Sequence, residues 1–465
     1  MTRPLILLIC SLSLACGSVA ARTAPPASKQ AQLKFVVILT RHGVRSPTAD
    51  PSRYAKYSRA AWPRWDVPPG YLTPHGFEDM KLFGVWDRSL LARQGLLSAA
   101  GCADSAQVWL YADSDQRTRE SGRALAEGMF PGCPPSIHGL PQGMPDVLFH
   151  PGHRAAGNLP GDQPANPVPE PPGEALLRQA ETQRLAQQYR PQIAEMDRIL
   201  ATCGPPLSPD RQRVSLFDVP TTPPPGKHGD SGDLRGPMGV AAGLSENFLL
   251  EYTQGMPMRD VGWGCISRST LNSLIAIHNA ASDDEQRVPW GAHRDAAGLL
   301  DRIRAAMQQA VTGQAVAGAP DPPGERVLFL VGHDTNLTTV AALLHLTWTA
   351  GGRRDDTPPG SALVFELWRS PASGGYLVRV YFTAQTLDQL RDATPLTLAH
   401  PPLRVPLTIG GCSRAGVARC SWTAFSQISG RAIDPDSAQL AQDRHSAGSR
   451  GTRRRCASSP SQSSK

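Results

Sequence analysis

The chain has 465 residues, 40% of them hydrophobic and 19% charged, with a formal net charge of +7. Such a length accommodates two domains, and such a composition excludes a disordered or fibrous chain. The charge does not point to nucleic acid. From Arg431 onward seven basic side chains face three acidic ones, so much of the excess sits in a Ser/Gly/Arg-rich tail (434–465) expected to be a solvated, disordered end.

Residues 1–21 read as an export signal: Arg3, an apolar run from Leu5 to Leu14, then small residues suited to cleavage near Ala21. The run is too short to span a bilayer, and nothing later reaches the roughly 18 apolar residues a span requires. A periplasmic or secreted protein with no membrane partner is expected. Cleavage removes Cys10 and Cys16 from the nine cysteines and leaves seven, an odd number. Cys102 with Cys133 and Cys412 with Cys420 are the expected pairs. Cys203, Cys265 and Cys456 have no evident mates, and no Cys/His spacing suits zinc.

An apolar strand over 34–40 runs into Arg41-His42-Gly43-Val44-Arg45-Ser46-Pro47. A helix over 73–94 follows, with Thr73 as N-cap and Pro74 as its first residue. A second strand over 107–112 leads into Asp113-Ser114-Asp115-Gln116-Arg117-Thr118-Arg119, which opens a helix over 116–130. Between 151 and 324, Pro- and Gly-rich loops separate helical patterns at 174–200, 238–255, 266–280 and 293–311, which predicts a mostly helical insertion. The continuous apolar run 326–331, as in a doubly covered parallel strand, leads into Gly332-His333-Asp334-Thr335-Asn336 and a helix over 336–346. A hairpin of 361–368 and 376–384 closes the pattern. The fold class is therefore α/β: a discontinuous domain (32–150 and 325–430) with a mainly parallel sheet, plus an inserted smaller helical domain (151–324).

In an open parallel sheet the carboxyl ends of the strands line the ligand crevice. If the three strands are neighbours, two histidines, several arginines and one acid converge. His42, between Arg41 and Arg45, is placed as a nucleophile toward phosphorus, since the cations depress its pKa and hold phosphoryl oxygens. Arg117 supplies a third guanidinium and His333 a hydrogen-bond donor. Asp334 protonates the departing oxygen, its pKa expected to rise beside bound phosphate. No metal or other cofactor is called for, because arginines neutralise the charge. Each cluster alone also reads as a salt-bridged loop, a capped turn or surface charge; their joint placement at strand ends favours chemistry. Trp62 and Trp65, with Arg59 and Arg64, suit either a substrate pocket or aromatic loop packing. His75 and His278 read as ordinary polar or half-buried residues.

Arg41 to Pro47 and His333-Asp334 resemble the signatures of the histidine acid phosphatase family, over about Leu33 to Ile428. The resemblance implies a phosphohistidine on His42, Asp334 as proton donor, a phosphate clamp of Arg41, Arg45, Arg117 and His333, and an α/β domain beside a helical one. Within the family the chain is most similar to periplasmic bacterial phytases, through Thr335, the segment Glu246–Gly255 and Gly262-Trp263-Gly264. That likeness implies substrate contacts from Thr48 and Glu246 and a small phosphate ester as substrate, foremost myo-inositol hexakisphosphate; a monomer is the expected state. Glucose-1-phosphatase or broad acid phosphatase activity is the alternative, and an inactive phosphate-ester-binding protein is the alternative of another class. Ala49 stands where such phytases often carry lysine, and the family's cysteine bridge to the carboxyl end lacks its partners.

Overall fold

A computed structural model describes residues 30–151, 174–208, 212–221, 236–412 and 419–434. The expected signal, Cys456 and all but the first residue of the basic tail lie outside them. Strand β1 (Gln32–Arg41) explains the layering. Phe35, Val37 and Leu39 pack to one side and Val36 and Ile38 to the other, all buried, so the strand requires cover on both faces. The other strands are β2 (Val108–Ala112), β3 (Ile137–His138), β4 (Val327–Gly332), the short pair β5 (Thr349–Ala350) and β6 (Arg353–Arg354), β7 (Ala362–Arg369), β8 (Tyr376–Ala384), β9 (Leu403–Leu407) and β10 (Cys420–Ser421).

The main sheet runs β10-β8-β7-β1-β4-β2-β3, with β9 also on β8. Strands β1, β4, β2 and β3 are mutually parallel, and β7 and β8 continue the sheet antiparallel. Strand β9 contains Pro406, which lacks an N–H and suits an edge.

Helices α1 (Pro51–Ala55), α2 (Pro74–Arg93) and α3 (Gln116–Met129) follow the first two strands. Thr73 caps α2 as expected, its hydroxyl accepting from Gly76 N at 2.9 Å. Met80, Phe83 and Trp86 of α2 and Leu125 and Met129 of α3 cover one sheet face. The helices α4 (Glu174–Gln188), α5 (Arg190–Thr202), α6 (Gly236–Thr253) and α7 (Arg268–Gln286) build a second core around Ile193, Met196, Leu244, Phe248, Leu274 and Ile275. Helix α8 (Pro289–Thr312), expected within the insertion, instead turns Leu299, Leu300, Ile303 and Met307 onto the other sheet face, beside α9 (Asp334–Leu343) and α11 (Trp422–Ile433). The short α10 (Leu387–Arg391) reaches the helical core through Leu387 and Leu390.

Disulfides join Cys102 to Cys133 and Cys412 to Cys420, as expected, and Cys203 to Cys265. The last corrects the reading that these two lack mates: the end of α5 and the turn before α7 are far apart in sequence and adjacent in space. Among the described residues no helix is long and apolar enough to cross a membrane.

Candidate active site

The parallel register aligns the three strand ends. Arg41 lies opposite Gly332, and Val331 opposite Ala112. The chain after β1 is then locked from both sides: His42 N donates to Gly332 O at 2.9 Å, and Gly360 N donates to His42 O at 3.0 Å. The following turn presses on the start of α2, where a Cβ on Gly43 would stand 2.7 Å from Gly76 O. Only glycine allows that approach.

His42 is buried. Its Nδ1 donates to Gly43 O at 2.8 Å, which leaves Nε2 with a free lone pair. Burial, then the guanidiniums of Arg117, Arg41 and Arg45 and the His333 ring, push its pKa well below the ordinary imidazole value. The ring is therefore held toward its neutral form. His333 stands edge-on to it with ring centroids 5.5 Å apart.

The cations form a ring with acids behind them. Arg41, fully buried, donates to Thr357 O at 2.6 Å and to Glu246 Oε1 at 2.6 Å, and its Nη2 lies 3.0 Å from Asp334 Oδ2. Arg45 Nη2 shares the same Glu246 oxygen at 2.9 Å. Arg117 Nη2 pairs with Asp115 Oδ2 at 2.6 Å and lies 3.3 Å from His333 Nδ1. The Nε atoms of Arg41, Arg45 and Arg117 are buried without a hydrogen-bond partner. Two buried cations and a half-buried one, each with an unfilled buried donor, suit an anion site. Thr48 joins them: a Cβ on Gly70 would lie 3.5 Å from Thr48 Cγ2 and 3.7 Å from Arg117 Nη1, so both side chains flank one turn.

The carboxyls are held ionised. Burial disfavours the charge on Glu246, but Arg45 and Arg41 outweigh it and keep its pKa well below the usual carboxylate range. Asp334 is half-buried; desolvation opposes its charge, but Arg41 above all lowers its pKa. Without phosphate, then, Asp334 is a carboxylate, and the rise expected beside a bound anion needs that anion to engage Arg41.

All eight residues singled out from the sequence, His42, Asp334, Arg41, Arg45, Arg117, His333, Thr48 and Glu246, fall in this region. Three neighbours were not singled out. Asp113 Oδ2 accepts from His333 Nε2 at 2.6 Å and from His150 Nε2 at 2.8 Å. His278, read as an ordinary helix residue, brings a ring nitrogen within 4.8 Å of carboxylate oxygens of Glu246 and Asp334. Asp113 had a visible signal, as the first residue after a buried strand; the two histidines had none. His75 is structural, its Nε2 donating to Leu390 O at 2.7 Å. Trp62 packs against Trp263 and Phe248 at 4.8 and 5.5 Å between centroids, whereas Trp65, Arg64 and Arg259 line a cavity of about 590 Å³. Both tryptophans pack against the helical core and both line a neighbouring cavity, so aromatic packing and a pocket wall coexist in this loop.

A neutral buried imidazole facing guanidiniums, with a carboxyl group beside it at the ends of parallel strands, is the equipment of an α/β enzyme that cleaves phosphate esters. The chain belongs to the histidine phosphatase superfamily (branch 2), whose family model matches residues 32–200 and 281–383. It is a phosphomonoester hydrolase of the histidine type. The phytase AppA of Escherichia coli is 36% identical over 410 residues, covering 87% of this chain and 93% of that protein. The glucose-1-phosphatase of Salmonella typhimurium is 29% identical over 405 residues, covering 85% and 92%. The structure of Hafnia alvei phytase in complex with myo-inositol hexakis sulphate matches with a TM-score of 0.73 and 33% identity, over 89% of this chain and 99% of that one.

Proposed function

We propose that this chain is a phytase that releases phosphate from myo-inositol hexakisphosphate through a phosphohistidine, acting in acid as a periplasmic monomer. The substrate's phosphate enters the Arg41, Arg45 and Arg117 ring and takes over donors that Glu246, Asp334 and Asp115 hold in the resting state. The Nε2 lone pair of His42 attacks phosphorus as the ester P–O bond breaks. Asp334, protonated once Arg41 is engaged by phosphate, gives its proton to the leaving alcohol oxygen. The Asp334 carboxylate then takes a proton from water, which attacks the phosphohistidine, breaks the P–N bond and releases orthophosphate. His333 donates to a phosphoryl oxygen, and Thr48 and Glu246 face the substrate.

The observation that carries this reading is the tautomer of His42: its Nδ1 must donate to Gly43 O at 2.8 Å, which leaves the lone pair on Nε2 of a ring surrounded by the charges of Arg117, Arg41 and Arg45. An acid-labile, base-stable phosphoprotein should be trapped by quenching turnover of radiolabelled substrate in alkaline denaturant, and His42→Ala should abolish both it and turnover. Label retained in His42→Ala would end the mechanism. A second reading exchanges the substrate for a sugar phosphate. It draws on Ala49, which leaves a neutral side chain beside the site, and on the 29% identity to a glucose-1-phosphatase. Comparing kcat/KM on phytate and on glucose 1-phosphate separates the two.

A further inference from the structure

Two imidazoles share one carboxylate oxygen beside the phosphate ring. Asp113, whose side chain is fully buried, accepts at Oδ2 from His333 Nε2 at 2.6 Å and from His150 Nε2 at 2.8 Å. The rings are 4.8 Å apart and tilted by 45°. Both are thereby fixed with a proton on Nε2. The other nitrogen of His333, Nδ1, faces Arg117 Nη2 at 3.3 Å and is an acceptor in this state. To donate to a phosphoryl oxygen from Nδ1, His333 must take up a second proton and become an imidazolium, with Asp113 as its counterion. A proton gained by His150 would place a second cation on that same oxygen, and two like charges on one counterion oppose each other.

We propose that His150 is a positioning residue which, through the shared oxygen of Asp113, sets the pH at which His333 becomes a phosphate-gripping imidazolium. This inference rests on the reading of His333 as a phosphate clamp. Among the described residues, groups facing the pair include Asp113 and Tyr111 from β2 and the residue after it, Asp115 and Arg117 at the start of α3, Asp146 on the segment that carries His150, and His42, edge-on to His333 at 5.5 Å. Tyr111 Oη donates to Asp146 Oδ2 at 3.1 Å, so that acid is engaged elsewhere. The balance among them is consistent with competition. Burial lowers the affinity of His150 for a proton, but Asp113 reverses this and raises its pKa. For His333 burial prevails, and Arg117 and His150 add to it, so its pKa is lowered despite Asp113.

The test is the pH dependence of inhibition by orthophosphate in the full-length enzyme, for wild type, His150→Asn and His150→Phe. Asparagine retains a donor to Asp113 without titrating; phenylalanine keeps a ring and removes the donor. Both remove the competing cation, so both should extend tight phosphate inhibition to higher pH by about one unit, with the ring protons of His333 followed by NMR moving the same way. A merely structural role would lower the unfolding midpoint and leave the inhibition curve in place. Superimposable curves in all three proteins, with phosphoenzyme still trapped in each, would overturn the role of His150 alone. Absence of phosphoenzyme in the wild type would instead overturn the mechanism beneath it.

Discussion

Replacing Glu246 by glutamine isolates what the resting enzyme puts in place of its substrate. One oxygen of Glu246 occupies Arg41 at 2.6 Å and Arg45 at 2.9 Å, the two guanidiniums that flank the nucleophile. A phosphoryl oxygen accepting from the same two groups would lie within about 5 Å of that carboxylate, where repulsion between unit charges is about 3 kcal/mol at an effective dielectric of 20. Partial exposure of Glu246 screens some of this, leaving about 1.5–3 kcal/mol, or about 10–100-fold in affinity. Glutamine keeps the acceptor oxygen, so neither arginine is orphaned. The expected outcome is tighter competitive inhibition by orthophosphate, measured against an aryl phosphate in acid, with slower turnover wherever product release limits it. A second readout follows from the neighbouring acid. Glu246 raises the pKa of Asp334, so its neutralisation should move the alkaline limb of the rate profile to lower pH. An inhibition constant within twofold of wild type, in a protein with an unchanged unfolding midpoint, would refute the idea that Glu246 competes with phosphate.

Arg117→Ala should raise the pKa of His42, because Arg117 is the leading charge that depresses it. The nucleophile must be neutral, so the acid limb of kcat/KM should shift upward; an unmoved limb would contradict the assignment. Asp334→Asn should cost about 10²–10⁴ in turnover of alkyl phosphates and much less for p-nitrophenyl phosphate, whose leaving group needs no proton. Equal losses on both would remove Asp334 as the donor. Serine at both Cys203 and Cys265 opens a link spanning 62 residues, worth about 4 kcal/mol by loop-closure entropy. Denaturant unfolding followed by tryptophan fluorescence should register this, Trp263 lying beside the link; a loss under about 1 kcal/mol would count against that accounting.

The strand-end clusters were legible because a buried strand leaves a continuous apolar run, and the residue types after it do not suit a core. Asp113 was visible in the same way, but its task was not. That task depends on His333, which lies 220 residues along the chain and reaches it only because β2 and β4 pair. His150 follows Leu148-Phe149 and His278 follows Ile275-Ala276-Ile277, and nothing in one sequence separates such residues from ordinary half-buried histidines. The pairing of Cys203 with Cys265 was hidden for a related reason, since connectivity follows from how α5 meets the turn before α7. Helix α8 carries the same amphipathic period as its neighbours, so its pattern could not say which core it covers. Strand β10, two residues long, is too short to leave any period.

The resting charges explain why such a site should prefer acid. Arg41, Arg45 and Arg117 are answered by Glu246, Asp334 and Asp115, and Asp113 answers the histidines. A site of bare cations would be costly to bury, and one permanently saturated by carboxylates would exclude phosphate. Phosphate resolves this by moving charge rather than adding contacts. On the proposed mechanism, once it engages Arg41, Asp334 loses the neighbour that kept it ionised and takes up the proton that the leaving group needs. The nucleophile escapes the same titration because its depressed pKa comes from burial and the arginines together. The proposed mechanism therefore predicts a working window bounded below by His42 and above by Asp334 in the complex. The alkaline limb of kcat should accordingly lie above the ordinary carboxylate range. A limb that falls within that range would mean that substrate binding does not displace Arg41 from Asp334.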